Sequence, residues 1–118
     1  MINQTFLHCK GVGPKTESHI LKAGYNNWDD ILNKPESIPV GMRIKDSLVR
    51  MTEQCIYALE SDDIQFFVDS FAPSQHWRIL ERYLSRASFF DIETTGFSNH
   101  ESDISCIVCW HKGELHTF

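Results

Sequence analysis

No apolar run in the 118 residues approaches the roughly 20 that a membrane-spanning helix needs. The opening Met1-Ile2-Asn3-Gln4-Thr5 lacks the basic-then-apolar pattern of a secretory signal, so a cytoplasmic location is the default expectation. Basic charge is also scarce. Eleven Lys and Arg stand against sixteen Asp and Glu, a net charge of −5. Residues 1–60 are balanced at seven basic and seven acidic, and the deficit falls in residues 61–118, with four against nine. A strongly basic chain would point to nonspecific binding of polyanions. This balance neither supports nor excludes such a partner, because a bound cation offsets acidic site residues. Long repeats and low-complexity tracts are missing. Cysteine is sparse: of Cys9, Cys55, Cys106 and Cys109, only the last two form a Cys-x-x-Cys pair. Ile107-Val108 between them read as strand, and residues three apart on a strand face opposite sides. A zinc knuckle or redox pair needs both sulfurs on one side, so all four are expected to be reduced and packed as small apolar groups.

What is present suits a folded chain of one domain, or one small domain plus the start of another. Fourteen aromatic residues are enough for a core. The fold class expected is α+β. Residues 1–9 read as a short strand or turn, and Gly11-Val12-Gly13-Pro14 as a tight hairpin, with Pro14 suited to the first turn of a helix. That helix is expected over 14–23, with Ile20 and Leu21 inward and Gly24 ending it. Asn27 is placed to cap a second helix, Trp28 to Asn33, with Asp30 near its third position. Trp28 is expected to pack this helix on the first. Lys34 to Val40, with two prolines, reads as a loop. Ile44, Leu48, Met51, Cys55 and Leu59 form a helical stripe over 42–60. Ser61 reads as the cap of a further helix through Phe71, which Ala72-Pro73-Ser74 breaks. Trp77, Leu80 and Leu84 mark a helix over 75–85. Strands follow at 87–93 and 104–111. Lys112-Gly113 reads as a turn and residues 114–118 as a third strand, hairpinned to the second. Gly96 to Glu101 reads as a polar loop. The domain boundary expected is 1–86, helical, and 87–118, three antiparallel strands.

Phe89-Phe90-Asp91-Ile92-Glu93-Thr94-Thr95-Gly96 carries the most chemistry. Side chains alternate along a strand, so Asp91 and Glu93 share a face, about 7 Å apart along the backbone. Phe90 and Ile92 then point to the other face, into a core. Two carboxylates so held suit one divalent ion or a close pair, as in two-metal phosphoryl transfer. Spacing alone leaves equally open an exposed acidic strand end before an ordinary turn.

Asp91-Ile92-Glu93-Thr94-Thr95-Gly96 resembles the first motif of the DEDD-type 3′–5′ exonucleases, which have a ribonuclease H-like fold. Upstream, Thr5-Phe6-Leu7-His8, Gly11-Val12-Gly13-Pro14-Lys15-Thr16-Glu17, Gly24-Tyr25, Trp28-Asp29-Asp30-Ile31-Leu32 and His76-Trp77-Arg78 follow in order. That order is similar to a bacterial group in which a small helix-hairpin-helix region precedes the ribonuclease H-like domain. The resemblance spans nearly all of this chain but only the start of the family's catalytic domain. It implies that Asp91 and Glu93 ligate catalytic Mg²⁺ or Mn²⁺, which polarises a scissile phosphate. It also implies that the Thr94-Thr95-Gly96 backbone lies against a terminal nucleotide. The family needs two further aspartates and a late His or Tyr; Glu101, Asp103, His100 and His111 do not match them. Two carboxylates from one strand hold Mg²⁺ weakly. The chain by itself is therefore expected to have no exonuclease activity, or traces.

In helix-hairpin-helix modules the glycine turn brings backbone N–H groups to a DNA phosphate, so Gly11, Val12, Gly13, Lys15 and Thr16 are the nucleic-acid contacts the resemblance implies. A hairpin that only joins elements is the competing reading. Lys10, Lys15 and Lys22 form a small basic edge offset by Glu17. Gly41-Met42-Arg43-Ile44-Lys45 reads as a degenerate second hairpin without paired glycines. Arg78, Arg82 and Arg86 share a helix side, with a solvated face the expectation. Trp77 and Arg78 are expected to be structural.

Three functions remain open on the sequence: the N-terminal part of a metal-dependent exonuclease-type protein acting on DNA or RNA; a noncatalytic nucleic-acid-binding module; or a truncated mobile-element product acting through protein contact. The last strand would be an open edge, which suits a homodimer or a partner chain completing the sheet.

Overall fold

A computed structural model describes residues 1–96 and 103–118. The polar loop expected from Gly96 to Glu101, with His100, falls beyond Gly96 outside the described residues. The chain divides into two compact units, Met1–Arg82 and Tyr83–Phe118.

The first unit is helical. A 3-10 turn at Ile2–Gln4 opens it where a strand or turn was expected. Helix α1 spans Pro14–Lys22. Gly24 ends it in the left-handed region, φ 93°, with Gly24 N–H donating to Leu21 C=O (3.0 Å) and Tyr25 N–H to Ile20 C=O (3.4 Å). That pair of bonds is the Schellman pattern, which satisfies carbonyls a helix end leaves open. Ile20 is buried as expected, but Leu21 is exposed. Helix α2, Trp28–Asn33, starts at Asn27, whose side chain accepts from Asp30 N–H while the Asp30 carboxylate accepts from Asn27 N–H. This reciprocal cap is the one the spacing predicts.

Trp28 differs from expectation in its partners. Its indole N–H donates to Thr5 C=O at 3.0 Å, and its ring meets His8 edge-on and stacks on Phe67. It thus ties α2 to the N-terminal segment and to a later helix. Helix α3 covers Met42–Glu60. Its buried line is Ser47, Leu48, Thr52, Cys55 and Ala58, while Ile44, Met51 and Leu59 of the expected stripe are only half-buried. The face turned inward is offset from the apolar stripe, so small and hydroxyl side chains are among those it buries.

Ser61 closes α3 rather than opening the next helix, its hydroxyl donating to Tyr57 C=O. Asp63 is the cap of α4, Ile64–Ser70, and its carboxylate accepts from Phe66 N–H. A carboxylate two residues on outcompetes the hydroxyl because Asp62 first turns the chain with φ 58°. Helix α5 is Trp77–Tyr83, followed by a 3-10 turn at Leu84–Arg86. The stripe expected here is the wrong one. Trp77, Leu80 and Leu84 are exposed, and Ile79 and Tyr83 are buried. Trp77 instead carries the Arg78 guanidinium 4.4 Å from its ring centre, and Arg86 falls in the 3-10 turn, so the three arginines do not share one helix.

The second unit holds an antiparallel sheet in the order β1 (Ser88–Thr94), β2 (Ile104–His111), β3 (Glu114–Thr117). Lys112 (φ 50°) and Gly113 (φ 86°) make the two-residue turn between β2 and β3, the left-handed pair that matches strand twist. Cys106 pairs opposite Glu93 and Cys109 opposite Phe90, so the two thiols lie on opposite faces and both are free. Phe90 and Ile92 do not enter a core. They are 70% and 44% exposed, and every residue of β1 is exposed. A strand in a three-stranded sheet has neighbours only in plane; burying a face takes a second layer, which the alternation pattern cannot supply.

Candidate functional site

Asp91 and Glu93 stand on one face of β1, opposite Val108 and Cys106 of β2. Both are exposed, and no cation faces them in the strand register. The Asp91 carboxylate accepts from the N–H of Ile92 at 3.1 Å. The register breaks between Glu93 and Thr94, a bulge at the end of the acidic strand. Bulges re-aim the chain and end pairing. Ser105 uses the break to donate its hydroxyl to Glu93 C=O at 3.1 Å.

Beyond the bulge, Thr94 hydroxyl donates to Gly96 C=O at 3.0 Å. Thr95 N–H donates to Asp103 C=O at 2.9 Å, and Asp103 N–H returns a bond to the Thr95 hydroxyl at 3.0 Å. Thr95 and Asp103 are thus joined by two hydrogen bonds. The Thr95 N–H, one of the donors the resemblance would turn toward a nucleotide, is already committed to the backbone of Asp103. His111 accepts from or donates to Ser88 at 2.7 Å across β1 and β2. Glu101 and His100 lie outside the described residues.

Divalent Mg²⁺ or Mn²⁺ takes oxygen ligands, and Mg²⁺ keeps several waters. Two exposed carboxylates on one strand face suit part of such a shell. Among the described residues no third His, Cys, Asp or Glu joins them in a group able to hold a metal ion.

The glycine hairpin is built around a pair of turns, Cys9 N–H to Phe6 C=O (2.9 Å) and Val12 N–H to Cys9 C=O (3.0 Å). Gly11 takes φ 88°, and a Cβ added there would meet Ile44 of α3 at 3.4 Å. Gly13 is the extended N-cap of α1, and its C=O accepts from Glu17 N–H. Pro14 has no N–H to offer, which leaves the amides of Lys15 and Thr16 in the first turn. Lys15 is exposed and Thr16 half-buried, but Val12 is buried in the core and does not present its side chain to a ligand. The element before the hairpin is a single 3-10 turn and not a helix.

Among the described residues Glu17 makes no ion pair with Lys10, Lys15 or Lys22. Its carboxylate accepts from the Thr5 hydroxyl at 2.6 Å and from Phe6 N–H at 2.7 Å. Sequence reading also passed over a basic pair on α3. Arg43 and Arg50 are seven residues apart, two helical turns, and line a groove with Lys10 and Gly11 of the hairpin. The seven-residue spacing was the available signal.

A third cluster sits in the core. His8 Nε2 lies 3.2 Å from Cys55 Sγ and 3.7 Å from Cys9 Sγ, with Phe71 stacked on its ring at 4.6 Å. Burial, aided by the Glu17 charge, pushes the Cys9 thiol up to about 12, and burial pushes Cys55 up as well. Burial also pushes His8 down to about 4. Thiol chemistry needs the thiolate. Both sulfurs are held protonated, so this cluster belongs to packing.

Among the described residues no helix is long and apolar enough to cross a membrane. Set against family models, curated proteins and solved structures, the chain matches none of them.

Proposed function

We propose that this chain is part of a nucleic-acid-processing protein of the metal-dependent exonuclease type, in which Asp91 and Glu93 supply the first carboxylates of the metal site. The observation that carries this reading is the shared, exposed face of Asp91 and Glu93 at the end of β1, directly before the Thr94-Thr95-Gly96 turn. When bound, Mg²⁺ or Mn²⁺ would supply charge stabilisation at a phosphate. The chain's own residues would hold that ion and bring a nucleic-acid end to the turn. Two carboxylates are too few to fix such an ion without further oxygen ligands, so degradation by this chain alone is expected to be absent or slight. The fold class that the resemblance implies, a ribonuclease H-like sheet preceded by a helix-hairpin-helix region, is part of the same proposal.

The test is incubation with end-labelled single- and double-stranded DNA and RNA in Mn²⁺, beside Asp91→Ala, with products resolved on a denaturing gel. Intact substrate in both lanes agrees with an incomplete site. Stepwise shortening that vanishes in Asp91→Ala shows a site completed by association of chains. Shortening that persists in Asp91→Ala removes Asp91 from the chemistry and sinks the reading.

A second reading, a noncatalytic nucleic-acid-binding module, is favoured by the lack of a third ligand beside Asp91 and Glu93 among the described residues. Nucleic acid is the partner in both. A second copy of the chain, pairing along an exposed edge of the sheet, is the further partner proposed.

A further inference from the structure

We propose that the groove between the glycine hairpin and the first three turns of α3 binds the phosphate backbone of a nucleic acid. It rests on the nucleic-acid reading above, and moves the contact from the start of α1 to a different surface. The groove measures about 460 Å³ and is lined by Lys10, Gly11, Arg43, Ile44, Ser47 and Arg50. Three of these six carry positive charge and none is acidic, in a chain whose net charge is −5. Lys10, Arg43 and Arg50 are exposed, and among the described residues none of the three side chains makes a hydrogen bond or ion pair.

The local structure explains why these cations converge. Arg43, Ser47 and Arg50 follow at spacings of four and three, so they share one side of α3. Gly11 supplies the other wall. Its positive φ, which glycine adopts without strain, turns the hairpin backbone against Ile44 and brings the neighbouring Lys10 alongside. Ile44 and buried Ser47 make a floor set back from the charged rim. The adjoining flank of α3, which shares Arg50, is different in kind: Asp46 and Glu53 line it, and Lys45 donates to Glu36 C=O at 2.6 Å. Positive charge is therefore concentrated on the hairpin side.

The spacing favours a polymer over a single ion. Seven residues of helix place Arg43 and Arg50 about 10 Å apart along the axis, too far for both to grip one phosphate. Guanidinium is suited to phosphate oxygens, and a row of phosphates engages both arginines together. A strand lying along the groove meets the exposed cations of its rim together; a lipid surface is met by a helix with a broad apolar face beside its cations. The positive end of the α3 dipole beside Arg43 adds to the same field.

The experiment is fluorescence anisotropy with a labelled 20-nucleotide single strand and the matching duplex, titrated with the chain from 50 to 300 mM salt. Arg43→Gln/Arg50→Gln is compared with Lys34→Gln/Lys112→Gln, which removes the same charge elsewhere. Far-ultraviolet circular dichroism and thermal melts establish that each variant is folded. Anionic phospholipid vesicles serve as a parallel probe. The expected result is binding by the parent chain, a loss of tenfold or more in the arginine variant, and little change in the lysine variant. The slope of log affinity against log salt should fall by roughly 1.5 to 2, about one counterion for each lost phosphate contact. Parent and arginine variant binding DNA alike, with unchanged slopes, would overturn the groove while leaving the nucleic-acid reading intact. No binding of either nucleic acid by the parent would overturn both. Vesicle binding that depends on the two arginines, without DNA binding, would replace this proposal with a lipid surface.

Discussion

The Glu17 carboxylate reaches back across the glycine hairpin to the Thr5 hydroxyl at 2.6 Å and also takes the Phe6 N–H at 2.7 Å. Thr5 and Phe6 are fully buried, so one helix residue holds the N-terminal segment in the core. Removing the acceptor strands two donors away from water, at a cost of about 1–3 kcal/mol each when unsatisfied. Glu17→Ala should destabilise the helical unit by about 2–4 kcal/mol in urea unfolding. Glu17→Gln keeps one carbonyl acceptor and should cost less. Equal stability of parent and Glu17→Ala would show that Thr5 and Phe6 find water instead.

His8 makes stability depend on pH. Because burial keeps Cys55 protonated, its S–H donates and His8 Nε2 accepts, which places the ring proton on buried Nδ1. Protonating Nε2 would break that bond and charge a half-buried ring whose Nδ1 is out of contact with water. With a folded pKa of about 4 against 6.5 unfolded, the unfolded state binds more protons between these values. Stability is therefore full above about pH 6.5 and falls as pH drops toward 4, by an expected total of about 2–3 kcal/mol. Chemical denaturation across that range should show the slope, and His8→Phe, which keeps the stacking on Phe71, should flatten it. A parent profile that is level from pH 7 to 4.5 would contradict the half-buried neutral ring.

The two glycines of the hairpin differ in what they require. Gly11 sits at φ 88° against Ile44, whereas Gly13 is extended with nothing within 4 Å of an added Cβ. Gly11→Ala should cost about 1–2 kcal/mol from the left-handed backbone alone. Gly13→Ala should cost less than about 1 kcal/mol, the difference between Gly and Ala at an N-cap. Thermal melts of the two single variants give the comparison, and a reversed order would mean that the Gly11 conformation relaxes freely.

The sheet presents an apolar face. Phe90 and Ile92 of β1 share it with Ile107, which exchanges both backbone hydrogen bonds with Phe118. Phe90 and Phe118 are 70% and 78% exposed. Sedimentation over a wide concentration range should show reversible self-association, weakened by Phe90→Lys. A single monomeric species at every concentration, with a cooperative melt, would count against the proposed second copy as partner.

Local signals in the chain specified most elements. Pro14 and Gly24 bracket α1, Asn27 with Asp30 caps α2, and Lys112-Gly113 turns β2 into β3, because caps and turns are settled by residues within a few positions of one another. The same locality made Asp91 and Glu93 legible as a pair, since strand alternation alone puts them on one face. Which apolar face is buried was not legible. Leu21, Trp77, Leu80 and Leu84 are exposed while Thr52 and Ser47 are buried, because burial depends on which neighbour a helix meets and not on its own stripe. The engagement of Glu17 by Thr5 and Phe6, the His8 contact to Cys55 across 47 residues, and the meeting of Lys10 with Arg43 and Arg50 all required the chain to fold back on itself. Sequence determined what each segment can form; tertiary packing decided which charges are engaged and which face a groove.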